Sequence, residues 1–244
     1  MYQDVSHPTD LTAHAIHVWR IDLNVDPERV AGLAELLSPD ERARAERFFF
    51  PENRSHFVIA RGTMRRLLGG YVQTAPEEVV FRYNDYGKPQ LDTDIHGTDL
   101  RFNLSHSADI ALLAVAAGRE LGIDIEYVRE VGEADQIAAR QFDAVESASY
   151  AALPAHLRQE GFFVRWTLKE AFIKAHGSGL TLPLPSFSVA SQPAPDGYHR
   201  VRTNDPSDEH RWRGLLLPAL PGFVSALVAE GSDWQVACFR WRAS

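Results

Sequence analysis

The run Gly122-Ile123-Asp124-Ile125-Glu126-Tyr127 alternates Ile123, Ile125 and Tyr127 with small or acidic residues, the period of a strand with one buried face. Residues i and i+2 of a strand share a face about 6–7 Å apart, so Asp124 and Glu126 point the same way. Side by side in a sheltered place, two carboxylates repel unless a cation lies between them. Downstream, Trp166-Thr-Leu-Lys169-Glu170-Ala-Phe-Ile-Lys174 reads as a helix, with Glu170 and Lys174 at i, i+4 on one face. A fold that joins this strand to this helix gathers three acids and a lysine, chemistry suited to a hard metal ion and a phosphate.

Each piece alone has a plainer explanation. An arbitrary D-x-E is more often the solvated face of an edge strand, although apolar flanks and the preceding glycine favour burial here. Glu170 and Lys174 could be an ordinary i, i+4 ion pair worth a few tenths of a kcal/mol. On a helical wheel, however, Phe162, Trp166 and Ile173 cover one side and Val164, Leu168, Ala171, Phe172 and Ala175 another. A helix apolar on two flanks is largely buried, and a buried pair needs further partners.

The 244 residues, 45% of them hydrophobic, suffice for one large or two small packed units. A net charge of −8 provides no whole-protein field for nucleic acid. The one cysteine, Cys238, lies in an apolar run and excludes an intramolecular disulfide framework or a cysteine zinc cage; a buried small hydrophobe explains it better than a nucleophile. Met1–Asp10 is polar and no apolar run is long enough to span a bilayer, so the expectation is a soluble cytoplasmic protein without membrane contact.

A first strand is expected over His14–Leu23. Ser38-Pro-Asp-Glu41 is a capping-box start with proline at the first helical position, for a helix through Phe48. Pro51 opens another helix, ending near Gly69-Gly70. Strands follow at Val79–Tyr83, Leu100–Ser105 and Ile110–Ala116, and Gly118-Arg-Glu then suggests a hairpin into a strand at Leu121–Val128. Helical stretches between Ala134 and Leu153 and a long helix over Gln159–His176 precede short strands to the C-terminus, in which Trp234 and Trp241 read as core. Strand, helices and several strands, twice over, suggest an α+β chain of two related halves, residues 1–120 and 121–244.

Phe102-Asn-Leu-Ser105-His106-Ser107 puts two hydroxyls and an imidazole at a strand end. Without a G-x-S-x-G elbow they make better phosphate donors than a hydrolase site. Tyr86-Gly87-Lys88-Pro89 is turn chemistry that could offer backbone groups to a base and an ammonium to a phosphate. Arg54 and Arg61, seven apart on a helix, share a face and could meet one anion.

Taken in order, these residues resemble a known family. Gly-Ile-Asp124-Ile-Glu126 followed by Trp166-Thr-Leu-Lys169-Glu170-Ala-Phe-Ile-Lys174 is similar to the signature of 4′-phosphopantetheinyl transferases. Ser38-Pro-Asp-Glu-Arg42, Gly87-Lys88-Pro89 and Asn103-Leu-Ser105-His106-Ser107 resemble the larger, surfactin-synthetase-activating type, and the likeness weakens after about residue 190. The resemblance implies two pseudo-symmetric α+β halves, each a small mostly antiparallel sheet packed with helices, with coenzyme A between them. It implies a Mg²⁺-dependent transfer of the phosphopantetheine arm to a serine of an apo carrier protein of fatty-acid, polyketide or nonribosomal-peptide type, releasing 3′,5′-ADP. Secondary-metabolite biosynthesis and a monomeric state are part of the same expectation.

Carried over residue by residue, Asp124, Glu126 and Glu170 would hold the metal, with Lys174 on the transferred phosphate and Glu170 or a metal-bound water as the base. Ser105 and His106 would bind phosphates, Tyr86, Gly87 and Lys88 the adenine edge, and Arg44, with Arg61 as a weaker choice, the 3′-phosphate. Glu41 departs from the pattern, standing where some members carry a second lysine. Two rivals remain at this level. One is a Mg²⁺-dependent nuclease or phosphodiesterase, against which the acidic balance argues. The other is a non-catalytic module binding coenzyme A or carrier proteins, against which the complete set of acids and Lys174 argues.

Overall fold

A computed structural model describes residues 2–208 and 210–242. In chain order its strands are β1 (Gln3–Val5), β2 (Ala15–Asp22), β3 (Phe81–Tyr83), β4 (Pro89–Leu91), β5 (Leu100–Ser107), β6 (Ile110–Ala117), β7 (Leu121–Tyr127), β8 (Phe187–Val189), β9 (His199–Thr203), β10 (Trp212–Leu216), β11 (Phe223–Glu230) and β12 (Gln235–Trp241). The helices are α1 (Pro27–Glu35), α2 (Pro39–Glu46), α3 (Pro51–Val72), α4 (Thr93–His96), α5 (Ala134–Gln141), α6 (Ala144–Ala151) and α7 (Ala155–His176).

Alternation along β6 shows why the molecule is layered. Ala111, Leu113 and Val115 join Trp19, Ile21, Met64 and Leu68 in a core beneath α1 and α3. The residues between them, Leu112, Ala114 and Ala116, join Ile16, Val18, Leu121, Ile123, Ile125 and Leu227 in a second core. A strand buried on both faces reads as a continuous apolar run, which is what Ile110–Ala117 is. The layers therefore run helices, first sheet, second sheet, helices. On the far side α7 packs Leu168, Phe172 and Ala175 against Trp212, Ala226 and Val228.

The first sheet has the order β1-β12-β2-β6-β5 and the second β7-β11-β10-β9-β8, with β3 and β4 forming a separate two-stranded ribbon. Pairing is antiparallel except at β12, which is parallel to both β1 and β2. The chain changes sheet between β6 and β7, and changes back at its end.

This topology corrects the expected hairpin at Gly118. The chain leaves the first sheet there, with Gly118 at φ 63°, a left-handed turn that glycine tolerates without strain. β7 then pairs with β11, Asp124 opposite Ala226 and Glu126 opposite Val224. Local turn chemistry looked like a hairpin because the true partner lies a hundred residues away. The helix from Ser38 stops at Glu46 short of Phe48, because Phe50, ahead of Pro51, is extended at ψ 128°. α3 overruns Gly69-Gly70 to Val72 and ends on left-handed Gln73. Helix α1 was not anticipated, although Asp26-Pro27 carries its start signal: the Asp26 side chain accepts from the Arg29 N–H and Pro27 is at the first helical position. Cys238 is buried as expected, and burial pushes its thiol pKa up to about 11. No helix among the described residues is long and apolar enough to cross a membrane.

Candidate active site

Gly122 sets the distance between β7 and α7. A Cβ there would lie 2.2 Å from the Ala171 carbonyl oxygen and the Ala175 nitrogen, so only a residue without a side chain lets the helix lie this close. Asp124 and Glu126, two and four residues on, therefore face α7 where Glu170 and Lys174 stand. Ile123 and Ile125 turn the other way, into the core between the sheets.

Asp124 is 4% exposed. Its Oδ1 accepts from Lys174 Nζ at 2.6 Å and from Ser105 Oγ at 2.9 Å, and Lys174 Nζ also donates to Ser105 Oγ at 2.9 Å. The other oxygen, Oδ2, is buried without a hydrogen-bond partner, a costly state for a carboxylate. Burial raises the Asp124 pKa against the pull of Lys174 and Ser105. Glu126 is raised by burial and then by the charge of Asp124. For Glu170, burial is again the largest cause, with Asp124 and Glu126 raising and Lys174 lowering. The three acids thus act on one another in a field that also contains the Lys174 ammonium. Among the described residues no three acid, imidazole or thiol side chains converge as they stand on an ion-sized point.

β5 connects this site to a cleft. It runs beside β7 without a main-chain ladder; side chains bridge the gap instead. Asn103 Oδ1 accepts from Ile123 N at 2.9 Å, and Ser107 Oγ accepts from Tyr127 N at 3.0 Å and donates to Glu126 Oε2 at 3.3 Å. Asn103 and Ser107 were read as part of a motif, but their role in joining the sheets was not anticipated, since nothing local in sequence names the strand they serve. Beyond β5 opens a cleft of about 930 Å³ lined by Arg44, Phe48, His56, Phe57, Arg61, Gly87, His106 and Ser107 among others. His106 lines the cleft and is exposed. Desolvation, then the charges of Lys174 and His56, lower its pKa, so the ring is neutral at pH 7.

The arginines and Lys88 depart from expectation. Buried Glu41 accepts from Arg61 Nε at 2.8 Å and from Arg65 Nε. The anion that Arg61 meets is therefore one the protein supplies, and Arg54, expected to share it, takes no part. Arg61 also stacks its guanidinium over Phe81, 5.2 Å from the ring centre. Arg44 is the freer cation on the cleft wall, 5.4 Å over Phe57.

Lys88 Nζ donates to Glu120 Oε2 at 2.9 Å, Leu121 O at 3.1 Å and Ala175 O at 3.2 Å. An ammonium has three protons, and all three are engaged within the protein, leaving none directed at the cleft. Asn84 holds the same loop: its Oδ1 accepts from Tyr86 N and Lys88 N, and its Nδ2 donates to Gly177 O at 2.8 Å. Tyr86 is exposed and Gly87 lines the cleft.

Lys169, between the site residues in sequence, points away from them. It is fully buried and donates to Glu146 Oε2 at 2.6 Å and Phe187 O at 2.7 Å. Glu146 also caps α6 and accepts from Val189 N, so this pair ties α6 and β8 to α7 one residue from Glu170. The capping box at Asp143 was a readable signal for the start of α6; the partner of Glu146 was not.

A model of the 4′-phosphopantetheinyl transferase superfamily matches residues 120–237, and one described as 4′-phosphopantetheinyl transferase, N-terminal, matches residues 25–118. The 4′-phosphopantetheinyl transferase HetI of Nostoc sp. is 38% identical over 230 residues, 93% of this chain and 94% of its own. The transferase Sfp of Bacillus subtilis is 30% identical over 169 residues, 69% of this chain and 73% of its own. A solved structure described as a Chronobacterium ammoniagenes ACPS–CoA complex covers 46% of this chain and 96% of its own at 19% identity and a TM-score of 0.34.

Proposed function

The chain belongs to the 4′-phosphopantetheinyl transferase superfamily, and from that membership we propose that its cleft binds coenzyme A and that Asp124, Glu126 and Glu170 hold a Mg²⁺ ion. The phosphopantetheine arm passes to a serine hydroxyl of an apo carrier protein, and 3′,5′-ADP leaves. The observation that carries this reading is the acidic site itself: three mutually repelling carboxylates, one with an orphaned buried oxygen, beside one ammonium. All the donors are hard oxygens, which fits Mg²⁺. Glu126 and Glu170 are only half-buried, which leaves both carboxylates within reach of solvent and of an ion.

When bound, the ion would neutralise the anionic oxygens around the phosphorus under attack. Two protons of Lys174 are used by Asp124 and Ser105, and the third is available to the transferred phosphate. Glu170, half-buried one helical turn before Lys174, takes the serine proton as the new P–O bond forms. Arg44 and His106 supply donors along the cleft for the nucleotide phosphates, and the Tyr86–Gly87 backbone faces the adenine. Lys88 keeps that loop in place without touching the ligand.

Mass spectrometry of an apo carrier protein incubated with coenzyme A and Mg²⁺ tests the reading. The expected result is the mass gain of one phosphopantetheine arm, abolished by EDTA. An unchanged carrier mass, or a gain indifferent to EDTA, would refute the transfer or the metal respectively.

A further inference from the structure

Phe49 is 89% exposed and Phe50 62%, and their rings meet edge to face with centres 5.1 Å apart. Two large aromatic side chains side by side in water are an unusual expense for a surface that contacts nothing. Their neighbour Phe48 behaves differently: it turns inward against Phe57, 5.4 Å between centres, and lines the cleft. The pair is held between helices, since Glu46 ends α2 and Phe50 is the residue before Pro51 at the start of α3. The rings thus stand on a short, braced connection at the rim of the cleft.

The charge around them has a sign. From Arg42 to Arg54 there are four arginines and two glutamates, a net +2 (4 − 2), in a chain carrying −8 overall. Arg47 and Arg54 are exposed, and neither enters a salt bridge or side-chain hydrogen bond among the described residues. Exposed aromatic anchors with unpaired arginines beside them are the composition of an interface centre.

We propose that the acceptor carrier domain docks on this rim, seating apolar side chains on Phe49 and Phe50 and acidic ones against Arg47 and Arg54. The proposal rests on the transferase reading above and names the surface by which that partner is recognised. Continuity supports this occupant: Phe48 and Arg44 line the cleft whose opposite wall, through Ser107, holds Glu126. A second copy of the chain is a poor fit, because a symmetric dimer on this patch would set its arginines against their own copies.

The test uses the full chain with a purified acidic apo acyl carrier protein as the probe. For Phe49→Ser/Phe50→Ser and, separately, Arg47→Glu/Arg54→Glu, the expected result is a KM for the carrier raised at least about tenfold, as loss of a hot-spot pair gives. KM for coenzyme A and kcat at saturating carrier stay within about twofold. The arginine variant should also lose most of the salt dependence of the carrier KM. All these side chains are exposed, so an unchanged Tm verifies the fold. A carrier KM unchanged in both variants overturns the proposal. So does loss of self-association, or of binding to vesicles containing phosphatidylglycerol, with carrier kinetics intact. If the wild type modifies no carrier, the transferase reading fails, and fluorescence anisotropy of labelled apo carrier still decides the surface: equal affinity for wild type and variants overturns it.

Discussion

Asp124 illustrates how much one side chain is asked to do. One of its oxygens takes two donors, and the other, equally buried, takes none. Glu126 and Glu170 add two more charges to the same field, each raised by burial and by its neighbours. Without a bound cation this arrangement works against folding. Glu170→Gln should therefore separate stability from activity: transfer falls by roughly 100-fold or more, while Tm in EDTA rises by about 2–4 °C, the size of ~1 kcal/mol in a chain this long. A lower Tm in EDTA would show that the three acids do not repel as described. Lys174 is the converse case, being the cation on Asp124. For Lys174→Ala, kcat should fall by more than KM for coenzyme A rises, and Tm should drop because Asp124 is left buried and unpaired. Steady-state kinetics with a melting curve reads both, and a change confined to KM would make Lys174 a ground-state contact.

Among the elements, α7 is held at three separate points. Gly122 lets β7 touch its backbone, the buried Lys169–Glu146 pair holds its middle, and Lys88 donates to its last turn at Ala175, where a cation also opposes the helix dipole. Lys88→Met is expected to lower Tm by several degrees, since Glu120 and two carbonyls lose their donor, and to affect KM for coenzyme A only through the displaced loop. A large rise in KM with Tm unchanged would return Lys88 to a direct phosphate contact. This lysine shows where sequence reading stops. The Asp124–Glu126 strand and the Glu170–Lys174 helix were legible because their chemistry is periodic within a single element. The partners of Lys88, Glu41 and Glu146 are not legible because they lie 20 to 87 residues away, and a charged side chain in a turn looks the same whether it meets solvent or a helix end. The supposed hairpin at Gly118 failed for the same reason, with β11 outcompeting the nearer β6.

At the scale of the molecule, two sheets pack face to face between helical layers, and the first and last strands, β1 and β12, pair in one sheet. β12 sits between β1 and β2, fixed at its flank by Arg240, which donates to Asp22 Oδ2 from Nε at 2.8 Å. Trp234 and Phe239 bury their rings in the two cores flanking that sheet. A chain ending at residue 231 should consequently lose its cooperative thermal transition by circular dichroism, not just part of it. Retention of a sharp transition near the full-length Tm would show that the first sheet stands without its inserted strand.

Synthesis runs from N- to C-terminus, and the insertion of β12 reverses the usual order of completion. β2 leaves the ribosome with its future neighbour more than two hundred residues from being made, a wait of roughly 10–40 s at ordinary translation rates. Through that interval the apolar flank of β2 has an open edge able to pair with other chains. The first sheet is complete only once β12 has emerged. Nascent chains should then be most prone to aggregate before β12 emerges, and slower translation of the stretch ahead of it prolongs the hazard.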